Sequence, residues 1–357
     1  MAKRFNRFKK SQLVIPLFAL LLLVVFNLVR DAGFFSLNIA TNNDGNPVLT
    51  GNIVSILNSA SELAIIAIGM TLVTASSRGQ DISVGAVAAI AGSVFVRVLR
   101  EHSISWPIIL LAFLGGCAAA VLCGAFNGTL VAGFRIQPMI ATLILLTAGR
   151  PIAYWINGGA TPTVSSPLLG YIGSFIPGVP IPTPILIVVV FSVLVSLILR
   201  LTNLGLYTQA VGINEKSARL NGINAFGMKI LSFMMLGVCV SIAGCISVSR
   251  IGLINHETLL LDIEMDAILA VAIGGNALSG GKFNIAGSVM GAYIIQALTI
   301  TLYAMKVSST AVKAYKAIVI IAIVVLGSPV VQGYLLRLRD MLFQKTKKTT
   351  EMQAYGD

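Results

Sequence analysis

The chain has 357 residues, 56% of them hydrophobic and only 11% charged, with a mean hydropathy of +0.91. Soluble domains carry about 25% charged residues, so this composition excludes an ordinary soluble fold. The net charge of +12 does not point to nucleic acid, because the basic residues gather beside apolar runs.

A spanning helix needs about 20 mainly apolar residues. In chain order the apolar runs are Gln12–Val29, Ile53–Thr74, Val84–Leu99, Pro107–Ala125, Met139–Ile156, Pro184–Leu201, Ile230–Val248, Asp266–Asn276, Ile285–Ala304 and Ala314–Val331. Their length and continuity favour helices over barrel strands, which alternate over about ten residues. The expectation is an all-α polytopic bundle of about ten transmembrane helices, with Asp266–Asn276 short enough to be broken or re-entrant. The first run is longer than a signal h-region and lacks a small-residue cleavage site, so it is read as a span. Lys3, Arg4, Arg7, Lys9 and Lys10 precede it, and Arg337, Arg339, Lys345, Lys347 and Lys348 follow the last run. The positive-inside rule then places both termini in the cytoplasm, although Arg97, Arg100, Lys306 and Lys313 fall on the other side. Residues 1–11 and 334–357 read as basic cytoplasmic tails flanking a membrane domain over 12–333.

Two connections, Asp31–Asn52 and the Gly- and Pro-rich Asn157–Thr183, are too polar and broken to span and read as outer loops. Cys117, Cys123, Cys239 and Cys245 all lie in apolar runs and read as small buried hydrophobes. No metal-ligand spacing is present, and His102 and His256 stand alone in predicted loops. A faint internal repeat aligns Ala64–Ala67 with Ala267–Ala270, and Ser77, Gly79 and Gly85 with Ser279, Gly281 and Gly287. In both copies an apolar helix runs into a small-residue break and a new helix, a pattern found where unwound backbone lines a polar path.

The most telling segment is a polar break over residues 202–229, predicted to be cytoplasmic and carrying Glu215, Lys216, Arg219 and Lys229. Asn214 can cap a helix, Glu215 suits its positive end and Gly222 can close it in a left-handed cap. The result is a two-turn helix over Glu215–Asn221, too short to stand alone in water. A channel has no need of such a surface; a transport subunit driven by another protein does. No P-loop is present to bind ATP, since Gly281-Lys282 is followed by Phe283 and lacks the leading spacing.

Three blocks carry a family likeness. Gly79-Gln80-Asp81-Ile82-Ser83-Val84-Gly85 resembles the Gly-Gly-Ile-Asp-Leu-Ser-Val-Gly block of ribose-type sugar ABC-importer permeases. Gly205 to Ile223 resembles their cytoplasmic block, and Asp266 through Gly274-Gly275 to Gly280-Gly281 resembles a third. Asn127-Gly128 and Ile136-Gln137-Pro138 extend the likeness, and the form Ala210-Val211-Gly212-Ile213-Asn214 looks most like the galactofuranose-type branch. Arg78 departs from the family, standing where the first Gly of a pair is usual; Gln80 stands for Ile and Ile213 for Gly.

The resemblance implies a permease subunit of the bacterial inner membrane that translocates a monosaccharide and catalyses no covalent chemistry. It implies as partners an ABC ATPase subunit that binds ATP and magnesium, an external solute-binding protein, a second permease and membrane lipid. It assigns coupling to the ATPase to Gly212, Asn214, Glu215, Lys216, Ala218, Arg219 and Gly222. Candidates for the translocation path are Glu62, Asp81, Ser83, Asn127, Gln137, Arg150 and Asn276; the polar residues Asn58, Thr142, Gln296 and Thr299 also qualify. Asp81 suits either a helix cap or the path. Glu62 and Arg150 fall inside apolar runs, where ionisable groups face a partner or a polar cavity, and a Glu62–Arg150 pair is one possibility. Asp262, Glu264 and Asp266 form an acidic group at a predicted outer mouth, either a solvated helix end or a docking contact. The competing class is an ion-gradient-driven secondary transporter, which needs coupling carboxylates in the membrane and finds only Glu62.

Overall fold

The computed structural model describes residues 14–41 and 45–327. The described helices are Val14–Arg30 (α1), Asn52–Ser77 (α2), Val84–Glu101 (α3), Trp106–Ala132 (α4), Pro138–Ile156 (α5), Pro167–Gly173 (α6), Thr183–Leu201 (α7), Leu204–Ile213 (α8), Glu215–Leu220 (α9), Ala225–Ile251 (α10), Ile263–Ile273 (α11), Ile285–Ala304 (α12) and Ser309–Gly327 (α13). Two short strands, Asn38–Thr41 (β1) and Pro47–Thr50 (β2), pair antiparallel with Asn38 opposite Thr50. The predicted loop Asp31–Asn52 is therefore a hairpin, and the loop Asn157–Thr183 contains α6. The described residues 307–327, with α13, form a separate unit.

Six described helices, α2, α4, α5, α7, α10 and α12, are long and apolar enough to cross a membrane. At about 1.5 Å per residue, the 26 and 27 residues of α2 and α10 exceed the hydrocarbon thickness of about 30 Å. The chain is thus an all-α membrane bundle with a small hairpin. The other sequence-read runs differ for separate reasons. α1 has 17 residues, α3 ends on Arg97, Arg100 and Glu101, and the 11 residues of α11 are too short to cross. α13 begins at Ser309, carries Lys313 and Lys316 in its first half and runs to the edge of the described residues. The predicted tails, with their basic clusters, lie outside those residues.

Helix α2 is the axis. From Ala60 to Ser76 every residue is buried, the signature of a helix apolar all round and enclosed by others. α10 packs beside it and is buried along most of its length. The seam between α4 and α10 is made by small residues. A side chain on Gly124 would meet Phe233 O at 2.4 Å, and one on Gly237 would meet Ala120 O at 2.5 Å. Each helix thus offers a glycine to the other's backbone, as small residues do in membranes. The opposite face of α4 carries exposed Leu110, Leu111, Leu114 and Leu122, and α7 exposes Val190, Val193, Leu194 and Leu197. In lipid these apolar faces need no cover.

Candidate functional site

Two helix breaks lie against each other, the first buried over residues 79–83 and the second exposed over 277–279. Break 1, residues 78–83, joins α2 to α3; break 2, residues 274–284, joins α11 to α12. Of the faint repeat, Ala64–Ala67 lies in α2 and Ala267–Ala270 in α11, and Gly85 and Gly287 lie in the first turns of α3 and α12, but Ser77 ends α2 whereas Ser279 falls within break 2. The breaks touch. Gln80 Nε2 donates to Leu278 O at 3.2 Å, and the Gly281 amide donates to Ala75 O at 3.0 Å.

Unwound backbone must find partners inside the bundle, and buried polar side chains supply them. In break 1 the Asp81 carboxylate accepts from the Ser83 amide at 2.7 Å and the Ser83 hydroxyl at 2.6 Å. Asn127, from α4, donates to Asp81 Oδ2 at 3.1 Å and Ser83 Oγ at 3.0 Å. Thr142 Oγ1 accepts from the Ile82 amide at 3.2 Å. In break 2, Asn276 Oδ1 accepts from the Asn284 amide at 2.6 Å, and its Nδ2 donates to Ser288 Oγ at 2.8 Å. Ser288 Oγ in turn lies 2.6 Å from Thr71 Oγ1 of α2. Asp81, Ser83, Asn127 and Asn276 are all buried, so these four candidate path residues form the joints that hold the breaks.

The ionisable residues pair differently from the sequence-level possibility. Glu62 Oε1 lies 2.9 Å from Arg250 Nη1, not beside Arg150. Arg250 also donates to Gly173 O at 3.3 Å and Asn58 Oδ1 at 3.3 Å. The seventh apolar run ends at Val248, whereas α10 runs on to Ile251 and so includes Arg250. Three more residues of helix were the missed signal. Arg150 instead grips a turn, donating to His256 O at 2.6 Å and Glu257 O at 2.9 Å. The acidic group is not a uniform exposed surface either. Glu264 is buried, and its carboxylate and Arg150 Nη2 both come within 3.0 Å of where a side chain on Gly85 would begin.

The polar segment 202–229 forms α8, α9 and the start of α10, which carries Lys229. Asn214 leaves the helical region with φ −155° and ψ 100°, and its side chain accepts from the Ser217 amide. Glu215–Leu220 follows, one residue shorter than predicted. Gly222 has φ +79°; its amide donates to Arg219 O and that of Ile223 to Ala218 O, each at 3.0 Å. This is the Schellman closure of a helix. Ala218, buried, packs with Val211, Ala225 and Met228. Glu215 takes Lys229 at 2.6 Å and also Arg219. Burial pushes the Glu215 pKa up, but the hydrogen bond and charge of Lys229, aided by Arg219, outweigh it and hold the pKa below the ordinary value.

This element is seated on the breaks. A side chain on Gly212 would meet Ala75 O at 1.7 Å and the Gly281 amide at 2.7 Å, so only glycine allows α8 to lie there. Arg78 Nε donates to Gly212 O at 2.6 Å, and its Nη2 donates to Ile213 O. Beside the junction opens a cavity of about 620 Å³ lined by Arg78, Arg135, Gln137, Glu215, Lys216, Arg219 and Lys229 among others. Gln137 therefore lines the same cavity as Asn214, Glu215, Lys216 and Arg219.

Long apolar helices around two packed breaks define a multi-pass membrane protein with an interrupted-helix core. Residues 52–327 match the family described as branched-chain amino acid transport system / permease component. The chain is 40% identical over 284 residues to a galactofuranose transporter permease protein of Escherichia coli, covering 78% of this chain and 80% of that one. It is 36% identical over 324 residues to a fructose import permease protein of Bifidobacterium longum, covering 89% and 88%. It is 33% identical over 316 residues to a ribose import permease protein of Escherichia coli, covering 87% and 92%. No solved structure matches. The chain belongs to this permease family, among its ribose-type sugar ABC-importer members.

Proposed function

We propose that this chain is the membrane-spanning subunit of an ATP-driven importer for a monosaccharide, galactofuranose or another pentose or hexose, in a bacterial cytoplasmic membrane. About ten membrane segments, with the short α11 counted among them as a broken or re-entrant helix, and both termini cytoplasmic bring residues 202–229 to the cytoplasmic face, with basic tails at 1–11 and 334–357. A separate ATPase subunit binds ATP and magnesium and docks on α9. A solute-binding protein delivers sugar from outside, and a second permease, identical or a sister chain, completes the pathway. The observation that carries this reading is the seating of α9. A six-residue helix has no stability of its own, yet here it is capped at both ends, clamped by Lys229 and joined directly to α8, whose last residues lie against the two breaks. Movement imposed on it from outside has a rigid route inward. The names of the relatives support a sugar as cargo.

The test is reconstitution in vesicles with candidate ATPase and binding-protein subunits. ATP-dependent sugar uptake and co-purification with the ATPase are the expected results. Uptake that persists without ATP and collapses with an ionophore would instead favour a gradient-driven transporter.

A further inference from the structure

We propose that Arg78 is the positioning residue through which movement of the α8–α9 element reaches both helix breaks. The inference rests on the coupling role proposed above and concerns how that coupling is transmitted within this chain.

Arg78 departs from the block that its neighbours resemble, where glycine is usual. Its backbone explains the usual glycine: φ is +58° and ψ 30°, the left-handed cap of α2, with its amide donating to Thr74 O. Such a conformation favours residues without a Cβ, so an arginine there calls for a side-chain reason. Its location is equally unusual. From Ala60 to Ser93 every residue is buried except Ser77 and Arg78, and only Arg78 is exposed.

The side chain supplies the reason. Because the chain turns extended at Asn214, the Gly212 and Ile213 carbonyls are left without the amide donors of a continuing helix. Arg78 serves both, through Nε at 2.6 Å and through Nη2. A cation at a helix C-terminus also matches its dipole. No ion pair to Arg78 is found among the described residues, and the cavity beside it holds Arg135, Lys216, Arg219 and Lys229. The one carboxylate lining that cavity, Glu215, is bound to Arg219 and Lys229. Repulsion from these cations favours the carbonyls as the place for the guanidinium.

The same residue meets break 2. A side chain on Gly280 would touch Arg78 Cγ at 2.8 Å and Thr74 O at 3.1 Å, and the Gly281 amide is bonded to Ala75 O. Arg78 is thus covalently part of break 1, packed on break 2 and bonded twice to the last residues of α8. A two-donor planar fork resists rotation as well as separation. Lysine reaches such carbonyls as a single flexible point charge, and glycine does not reach them.

The experiment uses the whole transporter in proteoliposomes with its ATPase and binding protein, and measures sugar moved per ATP hydrolysed. Wild type, Arg78→Gly and Arg78→Lys are compared. Arg78→Gly relieves the backbone and is expected to assemble and hydrolyse ATP at the wild-type rate or faster. Its sugar-to-ATP ratio should fall by about tenfold, within the range of coupling effects between sites, with Arg78→Lys between the two. A wild-type ratio in Arg78→Gly overturns the proposal. So does a parallel fall of uptake and hydrolysis at an unchanged ratio, which marks a merely structural role. Should Arg78→Gly fail to assemble, Arg78→Lys with an unaltered thermal midpoint decides by the same ratio. A wild-type chain that engages no ATPase defeats the parent reading and this proposal together; a working wild-type complex matched by Arg78→Gly defeats this proposal alone.

Discussion

Glu62 illustrates what a single side chain discloses and conceals. Its position in an apolar run shows that it needs a partner, because a carboxylate in lipid is costly. Which partner depends on the α10 register, and Arg250 takes the place that Arg150 could have held. Glu62 is buried and Arg250 only part-exposed, so removing one member strands the other. Arg250→Ala is expected to cost about 3 kcal/mol, in the range for broken buried pairs, read as a lowered thermal midpoint in detergent. Arg250→Ala with Glu62→Gln should recover part of that loss, since no charge is then stranded. Asp81 is held differently, by Ser83 and Asn127, with no ion pair to it among the described residues. Asn127→Ala removes the donor to Asp81 Oδ2 and is expected to destabilise by about 1–3 kcal/mol, measured the same way. The sequence marked Asp81, Ser83, Asn127 and Asn276 as polar residues in apolar surroundings. The bonds from Asn127 to Asp81 and Ser83, and between Thr71 and Ser288, were invisible there, because partners 46, 44 and 217 residues apart leave no local trace.

Among the elements, α9 was the most legible. Its caps are local, so Asn214 and Gly222 announce both ends within ten residues. Asn214→Ala should cost about 1 kcal/mol of helix stability, and Gly222→Pro more, because proline cannot adopt φ +79°. Hydrogen exchange of the Glu215–Leu220 amides measures both. Glu215 adds a pH dependence. Its folded pKa lies below the ordinary 4.5, so the folded state binds fewer protons than the unfolded one across that interval. The clamp therefore contributes fully above about pH 4.5 and is lost as pH falls through the lowered folded value. Amide protection factors in α9 should stay level from neutral pH down to that point and drop below it, and Glu215→Gln should remove the step. The seat of α9 was less legible. Gly212→Ala would drive a methyl group into Ala75 O, and a shift of α8 by that amount should abolish uptake while leaving the protein in the membrane. Nothing near Gly212 in the sequence signals Ala75, 137 residues earlier.

For the whole molecule, the α4–α10 seam is the clearest stability test. Gly124→Leu or Gly237→Leu places a side chain against backbone at about 2.5 Å, and overpacking of this kind costs about 1–3 kcal/mol or more. Loss of folded protein in fluorescence-detected size exclusion is expected, while Leu114→Ala on the exposed face of α4 should be neutral. Composition alone determined that this chain is a helical membrane protein, and local caps determined where α9 begins and ends. Both follow from short-range physics, hydrophobic length and hydrogen bonding within a few residues. Tertiary structure decided which face of each apolar helix is inside, which carboxylate meets which arginine, and where α9 sits. In lipid the inner and outer faces are equally apolar, so residue size and distant backbone contacts, rather than a polar–apolar pattern, select the packing.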